Sequence, residues 1–189
     1  MDKTATNFSP QLATLGGGCF WCLEAAYQEV TGVEAVVSGY AGGEASTADY
    51  RKVSSGQTRH AEVVQLHFDP AAITYEEILE IFWHIHDPTT VDRQGNDVGP
   101  QYRSVIFYHD EEQKAIAERS KAEVAPGIWD EPAVTEICPL SGFWEAEDYH
   151  QNYYRNVGHR NPYCTFVISP KMAKFRRRFA EKLRKNEGE

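Results

Sequence analysis

The sequence predicts an α+β fold: a mainly antiparallel sheet covered by helices, in the manner of a ferredoxin-like two-layer sandwich with C-terminal additions. Two observations carry this. Over residues 11–108 the hydrophobic periodicities run strand–helix–strand–strand–helix–strand, the order of a split βαβ unit. Along the whole chain there is no internal repeat, low-complexity segment or compositional break that would mark a linker, so the segments beyond residue 108 read as additions wrapped around that core. The 189 residues are therefore expected to form a single domain, long enough to bury a substantial core.

Taken in order, residues 11–15 are a short strand leading into Gly16-Gly17-Gly18. Phe20, Leu23, Glu24, Ala26, Tyr27 and Val30 follow at helical spacing and predict a helix over about 19–30, closed by Thr31-Gly32. The apolar, β-branched stretch 33–38 is a strand entering Gly39-Tyr40-Ala41-Gly42-Gly43. Residues 44–59 are polar and are expected to be a long loop, a length that in compact domains is usually functional. Residues 61–68 alternate as a strand does and stop at Asp69-Pro70. Thr74 caps a helix running through His86, with Ile78, Leu79, Phe82 and Ile85 on one face and Glu77 in capping-box position. A second polar loop spans 87–101, a strand 104–108 and a charged amphipathic helix 110–124. The remainder is expected as a short strand at 133–138, a helix at about 144–156, a strand at 165–168 and a basic amphipathic helix over about 170–185.

Composition narrows the function. The 41% hydrophobic and 25% charged content belongs to a globular chain rather than a disordered one. A net charge of −9 argues against nucleic acid as a partner. The basic run at 174–178 is interleaved with Phe175 and followed by Glu181, so it reads as a solvated helix face. No apolar run reaches membrane-spanning length, and residues 1–4 lack the charged-then-apolar layout of a secretion signal. No membrane partner and a cytoplasmic location are expected. Four cysteines in a reducing compartment are then catalytic or metal-binding residues rather than disulfide partners.

Cys19 is the first candidate. It follows three glycines and falls at a helix start, where unpaired N–H groups and the positive end of the helix dipole stabilise a thiolate. Phe20 and Trp21 beside it look exposed. Against this stands the ordinary case of a buried structural cysteine; the glycines and the neighbouring Cys22 favour a nucleophile. The Cys19-x-x-Cys22 spacing also admits a general thiol–disulfide oxidoreductase, or half of the ligand set of a zinc-stabilised binding module. Cys138 and Cys164 lack a second CxxC, and His84 and His86 diverge on their helix, so no metal is expected.

Glu62 is the second candidate. In His60-Ala61-Glu62-Val63-Val64 it shares the parity of Val64 and Leu66, and a carboxyl group on an apolar face has a raised pKa that suits a proton donor. A solvated outer-face residue is the alternative. Tyr50 and Tyr102 flank the two polar loops, where their hydroxyls could converge on a substrate oxygen. Asp97 lies in Gln94-Gly95-Asn96-Asp97, which by itself reads as a turn.

Seven motifs, in order over about residues 10–170, carry a resemblance. They are Gly17-Gly18-Cys19-Phe20-Trp21, Gly39-Tyr40-Ala41-Gly42-Gly43, His60-Ala61-Glu62, His86-Asp87-Pro88, Arg93-Gln94-Gly95-Asn96-Asp97, Gln101-Tyr102-Arg103-Ser104 and Ala146-Glu147-Asp148-Tyr149-His150-Gln151. Together they resemble the A-type peptide methionine sulfoxide reductases. The resemblance implies that Cys19 is the nucleophile, Glu62 the acid, Tyr50, Asp97 and Tyr102 the oxygen-binding cluster, and Phe20 and Trp21 the walls of a methyl pocket. It implies reduction of the S epimer at sulfur, in oxidised proteins and as free methionine sulfoxide, through a sulfenic acid and a disulfide that thioredoxin reopens. It implies no metal or organic cofactor, and a monomer.

The chain differs from some members in carrying Cys22 where they have glycine, and in lacking a glycine-rich, cysteine-bearing tail. Two recycling cysteines are therefore open. Cys22 is three residues away, but a bridge within a regular first turn is strained. Cys164 falls where the resemblance places a C-terminal recycling cysteine, behind a proline-bounded loop, and is set ahead of Cys22. Cys138 has nothing to draw it to the site.

Overall fold

The computed structural model describes residues 9–185 of the chain. Residues 1–4, considered above for a leader, lie outside them. The described chain is a mixed α+β fold. Its first part runs β1 (Gln11–Gly16), α1 (Phe20–Tyr27), β2 (Val33–Ala41), α2 (Tyr50–Ser54), β3 (Ala61–Phe68) and α3 (Tyr75–Ile85). It continues with β4 (Arg93–Gln94), β5 (Asp97–Val98), β6 (Val105–Tyr108), α4 (Glu111–Glu123), β7 (Glu136–Pro139), β8 (Phe143–Glu145), α5 (Tyr153–Val157) and α6 (Ser169–Arg178). Six strands form one sheet in the order β7-β6-β1-β3-β2-β8, while β4 and β5 make a separate two-residue hairpin. Every neighbouring pair of the large sheet is antiparallel except β6 and β7.

The alternation of β3 decides what lies on each face. Val64, Leu66 and Phe68 join Ala13, Leu15, Phe20, Leu23, Ile78 and Phe82 in the main core between the sheet and α1 and α3. Ala61 and Val63 point the other way, into a smaller cluster with Ala41, Val105 and Phe107. Burying side chains of this size is worth roughly 1.5–3 kcal/mol each, so a one-residue slip of β3, which exchanges the two sets, is strongly disfavoured. The same parity aims Glu62 at the α1 face. Thr74 makes the expected capping box with Glu77, and the Tyr27 hydroxyl donates to the Ile78 carbonyl at 2.8 Å, tying α1 to α3.

Several elements depart from the sequence expectation. Within the 44–59 loop, a 3₁₀ turn at Ala45–Thr47 and the short α2 appear, the latter capped by Asp49, which accepts the Lys52 N–H. The helix expected over 144–156 forms only at its end, as α5. Phe143–Glu145 instead pairs with β2 as an edge strand, and Gly39 makes this possible, since a Cβ there would meet the Phe143 ring at 2.4 Å. The Gln151 side chain then extends the pairing: its amide accepts the Ser38 N–H at 3.0 Å and donates to the Ser38 carbonyl at 2.8 Å. Tertiary bonds to β2 override the helical pattern.

The strand expected at 165–168 is likewise helical, a π turn over Cys164–Ile168 that runs on into α6. Its β-branched residues suggest a strand, but burial follows a helical period through Cys164, Ile168, Met172, Phe175 and Phe179, and leaves Phe166 78% exposed. The basic C-terminal helix ends at Arg178 rather than about 185, and Leu183 beyond it bridges back to Val30.

Candidate active site

The glycine run brings β1 into α1 through a turn that other side chains would block. Gly18 has φ +88°, and a Cβ at Gly17 would stand 2.8 Å from the His86 ring. His86 is buried. Its Nδ1 lies 2.6 Å from the Phe82 carbonyl, which can only accept, so Nδ1 carries the proton and Nε2 accepts from the Ser104 hydroxyl at 2.7 Å. Burial holds its pKa down at about 4, so the ring stays neutral under the glycines. The Gln94 side chain, whose Cβ and Cγ pack against Gly18, bonds through its amide both the N–H and the carbonyl of Asp87 at 3.0 Å.

Cys19 emerges from this turn as the N-cap of α1, in extended conformation at φ −62°, ψ 128°. It is buried, and so is Phe20, which is 0% exposed; only Trp21 keeps partial access. The expectation of a stabilised thiolate beside two exposed aromatics is corrected here. Removal from water, the contact with the Cys22 thiol and the nearby Glu62 push the Cys19 pKa well up, and this outweighs the helix N-terminus. Cys22 moves the other way: contact with Cys19 is the largest cause, and the Lys171 charge adds to it against burial.

Glu62 is 2% exposed, and its Oε2 accepts the Phe20 N–H at 3.1 Å. Desolvation raises its pKa to about 8, with the single hydrogen bond opposing and the charge of Asp97 assisting. At neutral pH it is a carboxylic acid lodged beside a thiol.

The remaining expected residues share the field of this pair. Burial, followed by the charges of Glu62 and Cys19, raises the pKa of both Tyr50 and Tyr102. Asp97, on β5, accepts the Tyr163 hydroxyl at 2.6 Å, and that hydroxyl also lies 4.0 Å from the Cys22 sulfur. Cys164 is fully buried. Burial and the nearby Cys22 raise its pKa. Cys138 lies on β7, against the opposite face of the sheet. Among the described residues no group of three or more His, Cys, Asp or Glu side chains is placed to hold a metal ion, and no helix is long and apolar enough to cross a membrane.

Four further residues are integral to the site. The Trp21 indole N–H donates to His150 Nδ1 at 3.1 Å, and the ring stacks on Tyr153 at 3.7 Å with planes 4° apart. His150 also faces Tyr50 at 4.5 Å and Phe20 at 5.1 Å. Glu147 accepts the Tyr40 hydroxyl at 3.1 Å and the Tyr50 N–H at 3.0 Å, joining β2 to α2. Tyr163 completes the set. His150 and Glu147 lie in a motif that the sequence offers without a role, because their partners are about 100 residues or more away along the chain.

A buried thiol at a helix N-cap, facing a protonated carboxyl group within a ring of aromatic and tyrosyl side chains, defines a thiol oxidoreductase site. Residues 11–183 match the family model described as peptide methionine sulfoxide reductase. The chain belongs to that family. It is 56% identical over 178 residues to the peptide methionine sulfoxide reductase MsrA of Ralstonia nicotianae, covering 92% of this chain and 93% of the relative. Among solved structures it resembles reduced Mxr1 of Saccharomyces cerevisiae, with a TM-score of 0.71 and 34% identity over 82% of this chain and 92% of that one. Mxr1 in complex with Trx2 also matches, with a TM-score of 0.51 and 26% identity over 79% and 91% of the two chains.

Proposed function

We propose that the chain reduces methionine sulfoxide, in oxidised proteins and as the free amino acid, through a Cys19 sulfenic acid and an intramolecular disulfide that thioredoxin reopens. One observation carries this above the others: the Cys19 thiol and a carboxyl group protonated at neutral pH meet at the start of α1. A sulfoxide needs both, since its oxygen departs only when protonated and its sulfur must meet a nucleophile.

In the first step the Cys19 sulfur bonds to the sulfoxide sulfur while Glu62 passes its proton to the oxygen. The proton of the thiol supplies the second, and the oxygen leaves as water. Water then attacks the Cys19 sulfur and returns a proton to Glu62. Methionine departs with the S–S bonding pair, leaving Cys19 as a sulfenic acid. The sulfoxide gains two electrons and Cys19 loses two. Tyr50, Tyr102 and Asp97 surround the oxygen, and Trp21 takes the methyl group with the buried Phe20 packed behind it. The preference for the S epimer rests on the family resemblance.

Cys22 is the first resolving thiol in this reading, ahead of Cys164, which reverses the order expected from sequence. Cys19 is the N-cap and Cys22 the third helical residue, so the strain of a bridge inside a regular turn does not arise. The Cys22 thiol attacks the sulfenate sulfur, the oxygen leaves as water, and a Cys19–Cys22 disulfide results. The complex of Mxr1 with Trx2 supports thioredoxin as the reductant.

In this reading residues 1–189 are one catalytic domain, monomeric and cytoplasmic. The central strand order β6-β1-β3-β2, with α1 and α3 as crossovers, supports a ferredoxin-like core. The test is turnover of the separated sulfoxide epimers of a methionyl substrate with dithiothreitol as reductant. The S epimer should be consumed and the R epimer spared; no turnover of either would sink the assignment.

A further inference from the structure

A groove of about 940 Å³ opens on the α6 side of the molecule, and Cys22 is part of its lining. It lies between α3 and α6. Ala26, Ile85, Met172 and Phe175 give it apolar walls, and Lys171, Lys174, Arg177 and Arg178 line it with cationic groups. With Lys182 the lining holds five cations against two carboxylates, Glu80 and Asp87, on a chain whose net charge is −9. Two of the cations are engaged: Arg178 donates to His84, and Lys182 pairs with Glu77. Among the described residues, the side chains of Lys171, Lys174 and Arg177 make no ion pair or hydrogen bond, while the adjacent Arg176 pairs with Glu29 outside the groove.

We infer that this groove is a binding site for a low-molecular-weight thiol bearing carboxylate groups, which reduces the Cys19–Cys22 disulfide by attacking the Cys22 sulfur. The inference rests on the assignment of Cys22 as resolving thiol. Its volume falls in the range of small-molecule sites. Its apolar walls and cationic lining suit a short anionic molecule. Both thiols are buried, but Cys22 lines the groove and Cys19 does not, so a thiol held in the groove approaches Cys22. Lys171, whose charge acts on Cys22, would favour the incoming thiolate in the same way.

The chemistry balances with two equivalents of thiol. The first thiolate bonds to the Cys22 sulfur, the Cys19–Cys22 bond breaks, and Cys19 leaves with the electron pair and takes a proton. A second thiolate attacks the sulfur of the bound small molecule and releases Cys22. The protein disulfide gains two electrons, and two thiols become one small disulfide. This route operates on the face opened by α3 and α6 and requires no protein partner.

The test begins with the full-length protein taken through one turnover without reductant and peptide-mapped. A Cys19–Cys164 bridge at that stage overturns the assignment of Cys22, and this proposal with it, before any thiol is added. With Cys19–Cys22 present, its reduction is timed with glutathione, which carries two carboxylates, and with neutral 2-mercaptoethanol, each rate divided by thiolate concentration. Glutathione should be faster by about tenfold at low salt, saturate with concentration and lose its advantage as ionic strength rises. Lys174→Gln/Arg177→Gln should abolish the advantage and Lys174→Arg/Arg177→Lys restore it, with unfolding midpoints showing that both variants fold. Equal thiolate-normalised rates, or a glutathione advantage that survives the double Gln substitution, would overturn the proposal. If the Gln variant does not fold, the salt dependence and saturation of the unsubstituted protein decide.

Discussion

The Oε2 atom of Glu62 accepts the backbone N–H of Phe20 at 3.1 Å, one residue beyond the thiol of Cys19. This bond fixes the carboxyl group against the first turn of α1, so strand and helix bring the Glu62 and Cys19 side chains to the same helix start. A single N–H is too little to keep a desolvated carboxylate ionised, which is why the group is protonated up to about pH 8.

Glu62→Gln should preserve the bond to Phe20 and lose the transferable proton. The expected cost is roughly 10²–10⁴-fold in the chemical step, read from single-turnover methionine formation. A loss below tenfold would mean that Glu62 only shapes the site. In the unsubstituted protein the proton-donor role should fade as pH rises through about 8. Stability should move with it. The folded pKa lies above the ordinary 4.5, so the contribution is full below pH 4.5 and lost as pH rises through about 8. Denaturant midpoints of wild type and Glu62→Gln, compared between pH 5 and 9, should diverge in favour of the variant at the alkaline end.

Cys19→Ser should abolish sulfoxide reduction with the fold retained, because a hydroxyl without a strong adjacent base is a weak nucleophile. Cys22→Ser should form about one equivalent of methionine per enzyme in a burst and then stall with thioredoxin as reductant. Sustained turnover by this variant at the wild-type rate would return the resolving role to Cys164.

Glu24 holds the segment that stacks on Trp21. Its buried carboxylate, on α1 one turn beyond Trp21, accepts the N–H groups of Asn152 at 2.7 Å and Tyr153 at 3.2 Å. Asn152 is left-handed, with φ 55°, so the turn depends on those bonds. Glu24→Ala should cost about 1–3 kcal/mol of stability by stranding the two donors, and should raise KM for a methyl sulfoxide more than it lowers kcat. Equilibrium urea unfolding and steady-state kinetics read the two effects, and a change in neither would dismiss the role.

His86 sets an acid limit to stability. Its folded pKa of about 4 lies below the ordinary 6.5, so the unfolded chain takes up a proton first as pH falls. Stability is full above pH 6.5 and should decline between 6.5 and about 4, by as much as about 3 kcal/mol. His86→Gln should flatten that part of the profile of urea midpoint against pH; an unchanged slope would show that another group carries it.

Much of the site was legible locally. Three glycines before a cysteine mark a turn that only glycine permits, and the structure adds the reason, the His86 ring and the Gln94 side chain packed against Gly17 and Gly18. The alternation of residues 61–68 determined the face of Glu62, and Thr74 with Glu77 determined the start of α3, because both signals lie within one strand or one turn. The first part of the helix expected over 144–156 and the strand over 165–168 failed because their partners are distant. Bonds from Ser38 draw Gln151 onto the edge of β2, and helical burial through Cys164, Ile168 and Met172 overrides β-branched propensity.

The acidity of the two central groups divides in the same way. Sequence alone singled out Cys19 and Glu62 and offered an apolar face for Glu62 beside a solvated one; the structure buries Glu62 at 2% exposure. Only the tertiary structure decided that Phe20 is buried, that burial pushes the Cys19 thiol up against the pull of the helix start, and that Cys22 stands at the third position of a helix capped by Cys19. The helix start that favours a thiolate is visible in the chain, but the loss of water that opposes it comes from residues far away in sequence. Desolvation is a property of the assembled core, and here it is the larger of the two effects.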